Sequence, residues 1–216
     1  MKKSRIIPLA TAILLLTACG NDISAQKGGD VYSVKLEAPK GKAIAAFAEG
    51  CFWCSEHIFE SVVGVDSAVS GYAGGHTKNP TYERVNTETT GHAETVLVYY
   101  DPKKISYAEL QNVFYSSHDP TTPEQQGPDK GNSYRSIAFY LTPQEKKIAE
   151  DAKKRWDESG KYHNMIVTEI KKLDAFHRAE GYHQDYIEHH PTNSYVRNVS
   201  IPRYIKFKKM YKGNFK

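Results

Sequence analysis

The strongest constraint on the fold is the order in which apolar segments of two different periods follow one another. Residues 42–49 form a short apolar run with Ile44 and Phe47, which fits a buried strand. Residues 51–62 then place Phe52, Ile58, Phe59 and Val62 near one face of a helix, with Gly64 able to stop it. Residues 65–71 alternate like a strand, and residues 95–100 are β-branched and aromatic. Ser106-Tyr107-Ala108-Glu109 is a capping box opening a helix through Leu110, Val113 and Phe114. Residues 137–141 read as a strand, and Thr142-Pro143 supplies the N-cap and first-turn proline of a helix reaching about Ser159. A strand over 166–171 and a helix over 179–188 complete the series, and the remainder reads as irregular. Glycines and Pro80 make residues 74–80 a loop, while residues 118–132, rich in Pro, Gly, Asp and Gln, form a loop of a length that is often functional. The order is β-α-β-β-α-β-α-β. Strands and helices alternate only partly, which predicts an α+β fold: a two-layer, ferredoxin-like mixed sheet with helices on one face and an irregular C-terminal tail.

The chain has 216 residues, enough for one domain plus its ends. Three segments are expected. Lys2, Lys3 and Arg5 precede an apolar stretch over 6–18, interrupted by Pro8, that is shorter than the ~20 residues a membrane-spanning helix needs. Leu16-Thr17-Ala18-Cys19 resembles a bacterial lipobox, so residues 1–18 are read as a lipoprotein signal peptide and Cys19 as the lipidated residue. Several acyl chains on that cysteine would give stable anchoring, which places the protein outside the cytoplasm, on a membrane of the bacterial periplasm or cell envelope. Residues 19–40, with Ser24, Gln26, Gly28 and Gly29, read as a tether, and 41–216 as the catalytic domain. The net charge is +4, and the C-terminal cluster of Lys206, Lys208, Lys209 and Lys212 reads as a solvated tail; nothing argues for nucleic acid.

With Cys19 lipidated, Cys51 and Cys54 remain of the three cysteines, as Cys-Phe-Trp-Cys. An oxidising compartment permits a structural disulfide, yet so small a loop restricts the unfolded chain very little, which favours a redox role. Cys51 ends a strand and opens a helix, where unpaired N–H groups and the helix dipole favour the thiolate. Three residues on in a first turn, Cys54 has its α-carbon ~5 Å away, within disulfide range. The spacing also occurs in thioredoxin-like thiol–disulfide oxidoreductases and in half of a zinc site. A zinc-binding module would need His57, His183 or His189 as further ligands, but no second Cys-x-x-Cys exists and His189-His190 are adjacent, a poor chelating pair. No phosphate loop, dinucleotide fingerprint or metal motif occurs, so neither cofactor nor metal is expected.

Gly50-Cys51-Phe52-Trp53 resembles the signature of the peptide methionine sulfoxide reductase A family. Further stretches match that family in the same order: Gly71-Tyr72-Ala73-Gly74-Gly75, Asn79-Pro80-Thr81-Tyr82, Gly91-His92-Ala93-Glu94, His118-Asp119-Pro120, Gln126-Gly127-Pro128-Asp129, Tyr134-Arg135-Ser136 and Ala179-Glu180-Gly181-Tyr182-His183-Gln184. The likeness spans roughly residues 42–187. It departs at Cys54, commonly Gly in the family, and in the absence of any cysteine after Cys54, where many members carry recycling cysteines.

The resemblance implies reduction of the S epimer of methionine sulfoxide, free or in oxidised proteins and peptides, as a repair reaction. A separate enzyme serves the other epimer. Cys51 is the implied nucleophile, becoming a sulfenic acid that Cys54 resolves as a disulfide. An external thioredoxin-like dithiol restores the pair. Glu94, kept protonated by desolvation, would donate to the sulfoxide oxygen with the phenols of Tyr82 and Tyr134. Phe52 and Trp53 would form an apolar wall for the S-methyl group, Asp129 would organise the site, and His183 would either support substrate binding or be a satisfied structural histidine. A monomer is expected.

Overall fold

The computed structural model describes residues 32–216. In chain order the elements are β1 (Tyr32–Val34), β2 (Ala43–Glu49), α1 (Phe52–Glu60), β3 (Val65–Ala73), α2 (Tyr82–Val85), β4 (Ala93–Tyr100), α3 (Tyr107–Ser117), β5 (Gln125–Gln126), β6 (Asp129–Lys130), β7 (Ser136–Tyr140), α4 (Pro143–Asp157), β8 (Glu169–Lys172), β9 (Phe176–Arg178), α5 (Tyr186–His189) and α6 (Ile201–Met210). One seven-stranded sheet has the order β1-β9-β3-β4-β2-β7-β8, antiparallel throughout except for the parallel pair β7–β8. This is the α+β mixed sheet that the order of periods predicts.

Side chains alternate across a strand, and here both faces are apolar. Ala45 and Phe47 of β2, Val96 and Val98 of β4, and Ala138 of β7 meet the helices, contributed by Phe52, Ile58 and Phe59 of α1, Leu110, Val113 and Phe114 of α3, Ala149, Ala152 and Trp156 of α4, and Phe207 of α6. Phe47 is the hub, stacked on Phe59 at 5.0 Å and Phe114 at 5.2 Å between ring centroids. Ile44, Ala46, Leu97, Ile137 and Phe139 face the other way and are covered by Leu36, Ala38 and Leu173. No helix among the described residues is long and apolar enough to cross a membrane.

Four expectations are corrected. The last residues of the expected tether are structured: Tyr32, Ser33 and Val34 pair with Arg178, His177 and Phe176 at the sheet edge, and the residues before Tyr32, the proposed signal peptide and Cys19 included, lie outside the described residues. The helix expected over 179–188 is two single turns, Gly181–His183 and Tyr186–His189, separated by Asp185 at φ 51°. Side chains there replace helical partners: Gln184 Nε2 donates to the Ser70 and Ala179 carbonyls, and Glu56 accepts from the Asp185 N–H. The remainder is not irregular, because Val196–Ser200 form a π turn leading into α6, whose Phe207 is buried and whose lysines stay exposed. Finally, Ser106 caps α3 by accepting from the Glu109 N–H, but the reciprocal bond is absent because Glu109 accepts from Asn112. The full capping box belongs to Thr142 and Glu145 on α4.

Candidate active site

The site begins with a turn only glycine makes easily. Gly50 joins β2 to α1 at φ +87°, and a Cβ there would lie 2.4 Å from the Gln126 Cβ. Cys51 follows as the N-cap of α1, its carbonyl accepting from the Cys54 and Ser55 N–H groups at 3.2 and 3.3 Å. The first N–H groups of a helix have no partner within it. No side chain of the cap itself supplies one here; Glu94, from β4 in the middle of the sheet, accepts from the Phe52 N–H at 3.0 Å. Glu94 is 2% exposed, and burial pushes its carboxyl up to about 8 against the pull of that hydrogen bond. At neutral pH it is therefore mostly protonated, one oxygen fixed on α1 and the acid hydrogen free to donate.

A cavity of about 340 Å³ opens in front of Cys51. Phe52, Trp53, Tyr82, Glu94, Asp129 and Tyr134 line it, so eight of the nine expected site residues are within or beside it once Cys51 and Cys54 are counted. Burial raises the phenols of Tyr82 and Tyr134, which stay hydrogen-bond donors. Glu180 fixes the Tyr82 end by accepting from its N–H and from the Tyr72 hydroxyl, both at 2.9 Å. Trp53 is clamped flat on Tyr186, 3.7 Å between centroids, and its Nε1 donates to His183 Nδ1 at 3.0 Å. His183 is the ninth residue. It stands behind Trp53 instead of on the cavity wall, 1% exposed and pushed down to about 4 by burial, a neutral ring that holds the indole.

Three wall residues are absent from the sequence-based set: Asn193, Ser194 and Tyr195. Tyr195 donates to the Asp129 carboxylate, giving the expected organiser its partner. This pair also borders a second cavity of about 320 Å³, which reaches Cys54 from the side of α6 and is lined by Ser117, His118 and Arg203 among others. Ser200, at the end of the π turn, puts its Oγ 3.1 Å from Cys54 Sγ. No motif marks these residues; the only available signal was Phe207 and Tyr211, one helical turn apart behind Pro202.

Both thiols are free. Their charge is distributed differently from the expectation that a helix N-terminus favours thiolate at Cys51. Burial pushes the Cys51 thiol up. Its hydrogen bond to Cys54, helped by Arg203, lowers Cys54 to about 6. The two thiols are thus pushed in opposite directions, Cys51 up and Cys54 down, so of the pair Cys54 more readily carries the charge. Among the described residues no group of three or more His, Cys, Asp or Glu is placed to hold a metal ion, and His57, considered above as a ligand, packs edge-on against Tyr204.

The family model described as peptide methionine sulfoxide reductase matches residues 43–215. A peptide methionine sulfoxide reductase MsrA of Natronomonas pharaonis is 47% identical over 161 residues, 74% of this chain and 90% of the relative. The reduced form of Mxr1 from Saccharomyces cerevisiae superposes with a TM-score of 0.67 at 33% identity, covering 76% of this chain and 91% of that one. Mxr1 has also been solved in complex with Trx2, and that chain matches with a TM-score of 0.50 at 26% identity, covering 71% and 89%.

Proposed function

Because this chain belongs to the peptide methionine sulfoxide reductase family, and is an enzyme of that family, we propose that it reduces the S epimer of methionine sulfoxide, free or in oxidised proteins. The observation that carries the mechanism is Glu94, a buried acid hydrogen-bonded to the first turn of the helix that Cys51 opens. The Cys51 proton passes to Cys54, and the Cys51 sulfur attacks the sulfoxide sulfur. Glu94 protonates the oxygen, with Tyr82 and Tyr134 donating hydrogen bonds to it, and Phe52 and Trp53 receive the methyl group. Methionine departs, and Cys51 is left as a sulfenic acid while Glu94 is a carboxylate. Cys54 then gives its proton to Glu94 and attacks the Cys51 sulfur as the thiolate; an S–S bond forms, the S–O bond breaks, and Glu94 returns the proton to the departing hydroxyl, which leaves as water. One proton on the thiol pair and one on Glu94 thus supply both hydrogens of that water, and two thiols are oxidised as one sulfoxide is reduced.

A thioredoxin-like dithiol reverses the oxidation by thiol–disulfide exchange and returns the two protons. Support for that class of partner is the solved pairing of Mxr1 with Trx2. The reading includes lipid on Cys19 and a place in the cell envelope, supported by the lipobox-like Leu16-Thr17-Ala18-Cys19.

Assay of the purified protein on separated epimers with dithiothreitol tests the activity: turnover of the S epimer is expected, and turnover of the R epimer alone would reject it. Cys51→Ser abolishes even one turnover. Cys54→Ser still releases one methionine per enzyme but is not recycled by a thioredoxin-like protein. A fatty-acid probe labels wild type and spares Cys19→Ala; an unlabelled wild type removes the lipid from the reading.

A further inference from the structure

The C-terminal segment carries no cysteine, yet it is folded against Cys54. Ser200, 1% exposed, places its hydroxyl 3.1 Å from the Cys54 sulfur, where it donates once that sulfur is charged. One helical turn on, Arg203 donates through Nε to the Ser117 carbonyl and through one terminal nitrogen to Glu49, both at 2.8 Å. Its Nη1 makes no hydrogen bond among the described residues and lies 3.8 Å from where a Gly50 Cβ would stand, at the turn that delivers the cysteines. Arg203 and Cys54 line the same cavity. A guanidinium held by two fixed partners on the wall of the cavity that a buried sulfur also lines is preorganised to stabilise an anion there.

We propose that Ser200 and Arg203 are positioning residues which hold Cys54 as the thiolate that attacks the Cys51 sulfenic acid, so that the C-terminal helix activates the resolving cysteine. This rests on Cys54 being the resolving residue. The charged and titratable groups around Cys54 are Cys51 from the start of α1, Glu49 from β2, Glu94 from β4, Asp129 from β6, Tyr195 and Arg203. His118, also on the cavity wall, is neutral near physiological pH because burial pushes it down to about 3, and Lys206 lines the same cavity. The hydrogen bond with Cys51 lowers the Cys54 thiol most, and Arg203 and then Ser200 add to it against desolvation and the Asp129 charge.

The test is the pH profile of bridge formation. Reduced full-length protein is mixed with one equivalent of methionine sulfoxide, quenched at intervals, and the Cys51–Cys54 disulfide and the sulfenic acid are quantified by peptide mass spectrometry between pH 5 and 9. Wild type is expected to form the bridge at a rate that levels off by pH 7. Removing the ion pair as a unit, Arg203→Gln with Glu49→Gln, avoids leaving Glu49 buried and unpaired. It is expected to raise the midpoint by about one unit or more, making bridge formation about tenfold slower at pH 5 and about twofold slower at pH 7 while sulfenic acid accumulates. Ser200→Ala gives a smaller shift in the same direction, and Arg203→Lys recovers most of the wild-type midpoint. A bridge that slows equally at every pH, with its midpoint unmoved, would mean α6 is only scaffolding and overturns the assignment. Absence of any bridge in wild type instead removes the resolving role of Cys54, and this assignment with it.

Discussion

Glu94 uses its two oxygens for different ends, one to satisfy the helix that begins at Cys51 and one to carry a proton. Glu94→Gln separates them, since the amide oxygen still accepts from the Phe52 N–H but no acid proton remains. The first step should slow by about 10²–10⁴-fold, the usual contribution of a general acid. Its pH dependence should change too: wild type loses rate as pH rises through about 8, where Glu94 ionises, whereas the Gln variant is flat there. Single-turnover methionine release against pH measures both. Behind the site, His183→Phe leaves the half-buried Trp53 N–H without its acceptor, a loss of about 1 kcal/mol that should appear as a raised KM with kcat less affected. The sequence motifs carried Cys51, Glu94, Tyr82, Tyr134 and Asp129 because each sits in a short matching stretch. They could not carry Ser200 or Arg203, whose partners Cys54 and Glu49 are 146 and 154 positions away, or place His183 behind the indole, because pairings of that separation leave no local pattern.

At the level of elements, the junction of β2 and α1 is where period, turn and chemistry meet. Gly50→Ala forces a side chain into φ +87° and against Gln126. We expect a loss of about 1–3 kcal/mol in folding stability, or more if the Gln126 loop does not shift, read as a lowered unfolding midpoint. The central elements were legible for a physical reason: β2, α1, β4 and α4 bury continuous apolar faces, and period reports burial. Elements held mainly by side chain–backbone bonds were not. The 179–189 segment has helical composition, but Gln184 and Glu56 take over its backbone partners. In α6 one fully buried Phe207 is set among exposed lysines, so its period is nearly masked.

For the molecule as a whole, buried ionisable groups set how stability follows pH. Burial raises Glu49 to about 7 and Glu56 and Glu94 to about 8, from an ordinary 4.5. An acid whose folded value is raised contributes stability that is full below its unfolded value and lost as pH rises through the folded one. His118 and His183, lowered to about 3 and 4, act in the opposite sense, their contribution being present above their ordinary 6.5 and lost as pH falls. Cys54, lowered to about 6 from 9, opposes the carboxyls between those values, leaving the acids in the majority between pH 6.5 and 8: three of them up to about 7, then Glu56 and Glu94. Stability should therefore decline with rising pH across that interval. Glu56 bonds Ser70 and the Asp185 N–H and lies outside the cavity in front of Cys51, so Glu56→Gln should flatten the decline by up to about 1.4 kcal/mol per pH unit, measured by denaturant unfolding at a series of pH values.

Two cavities reach one pair of sulfurs, one in front of Cys51 and one beside Cys54, with the Asp129–Tyr195 contact on the border they share. On the proposed reading, sulfoxide meets Cys51 through the first and a dithiol reaches the oxidised pair through the second, and that assignment is what kinetics can test. In steady-state kinetics this means double-exchange behaviour without mutual exclusion: reciprocal plots at several reductant concentrations run parallel, and a large excess of sulfoxide leaves the maximal rate intact. A shared doorway would instead give competitive inhibition by either substrate in excess.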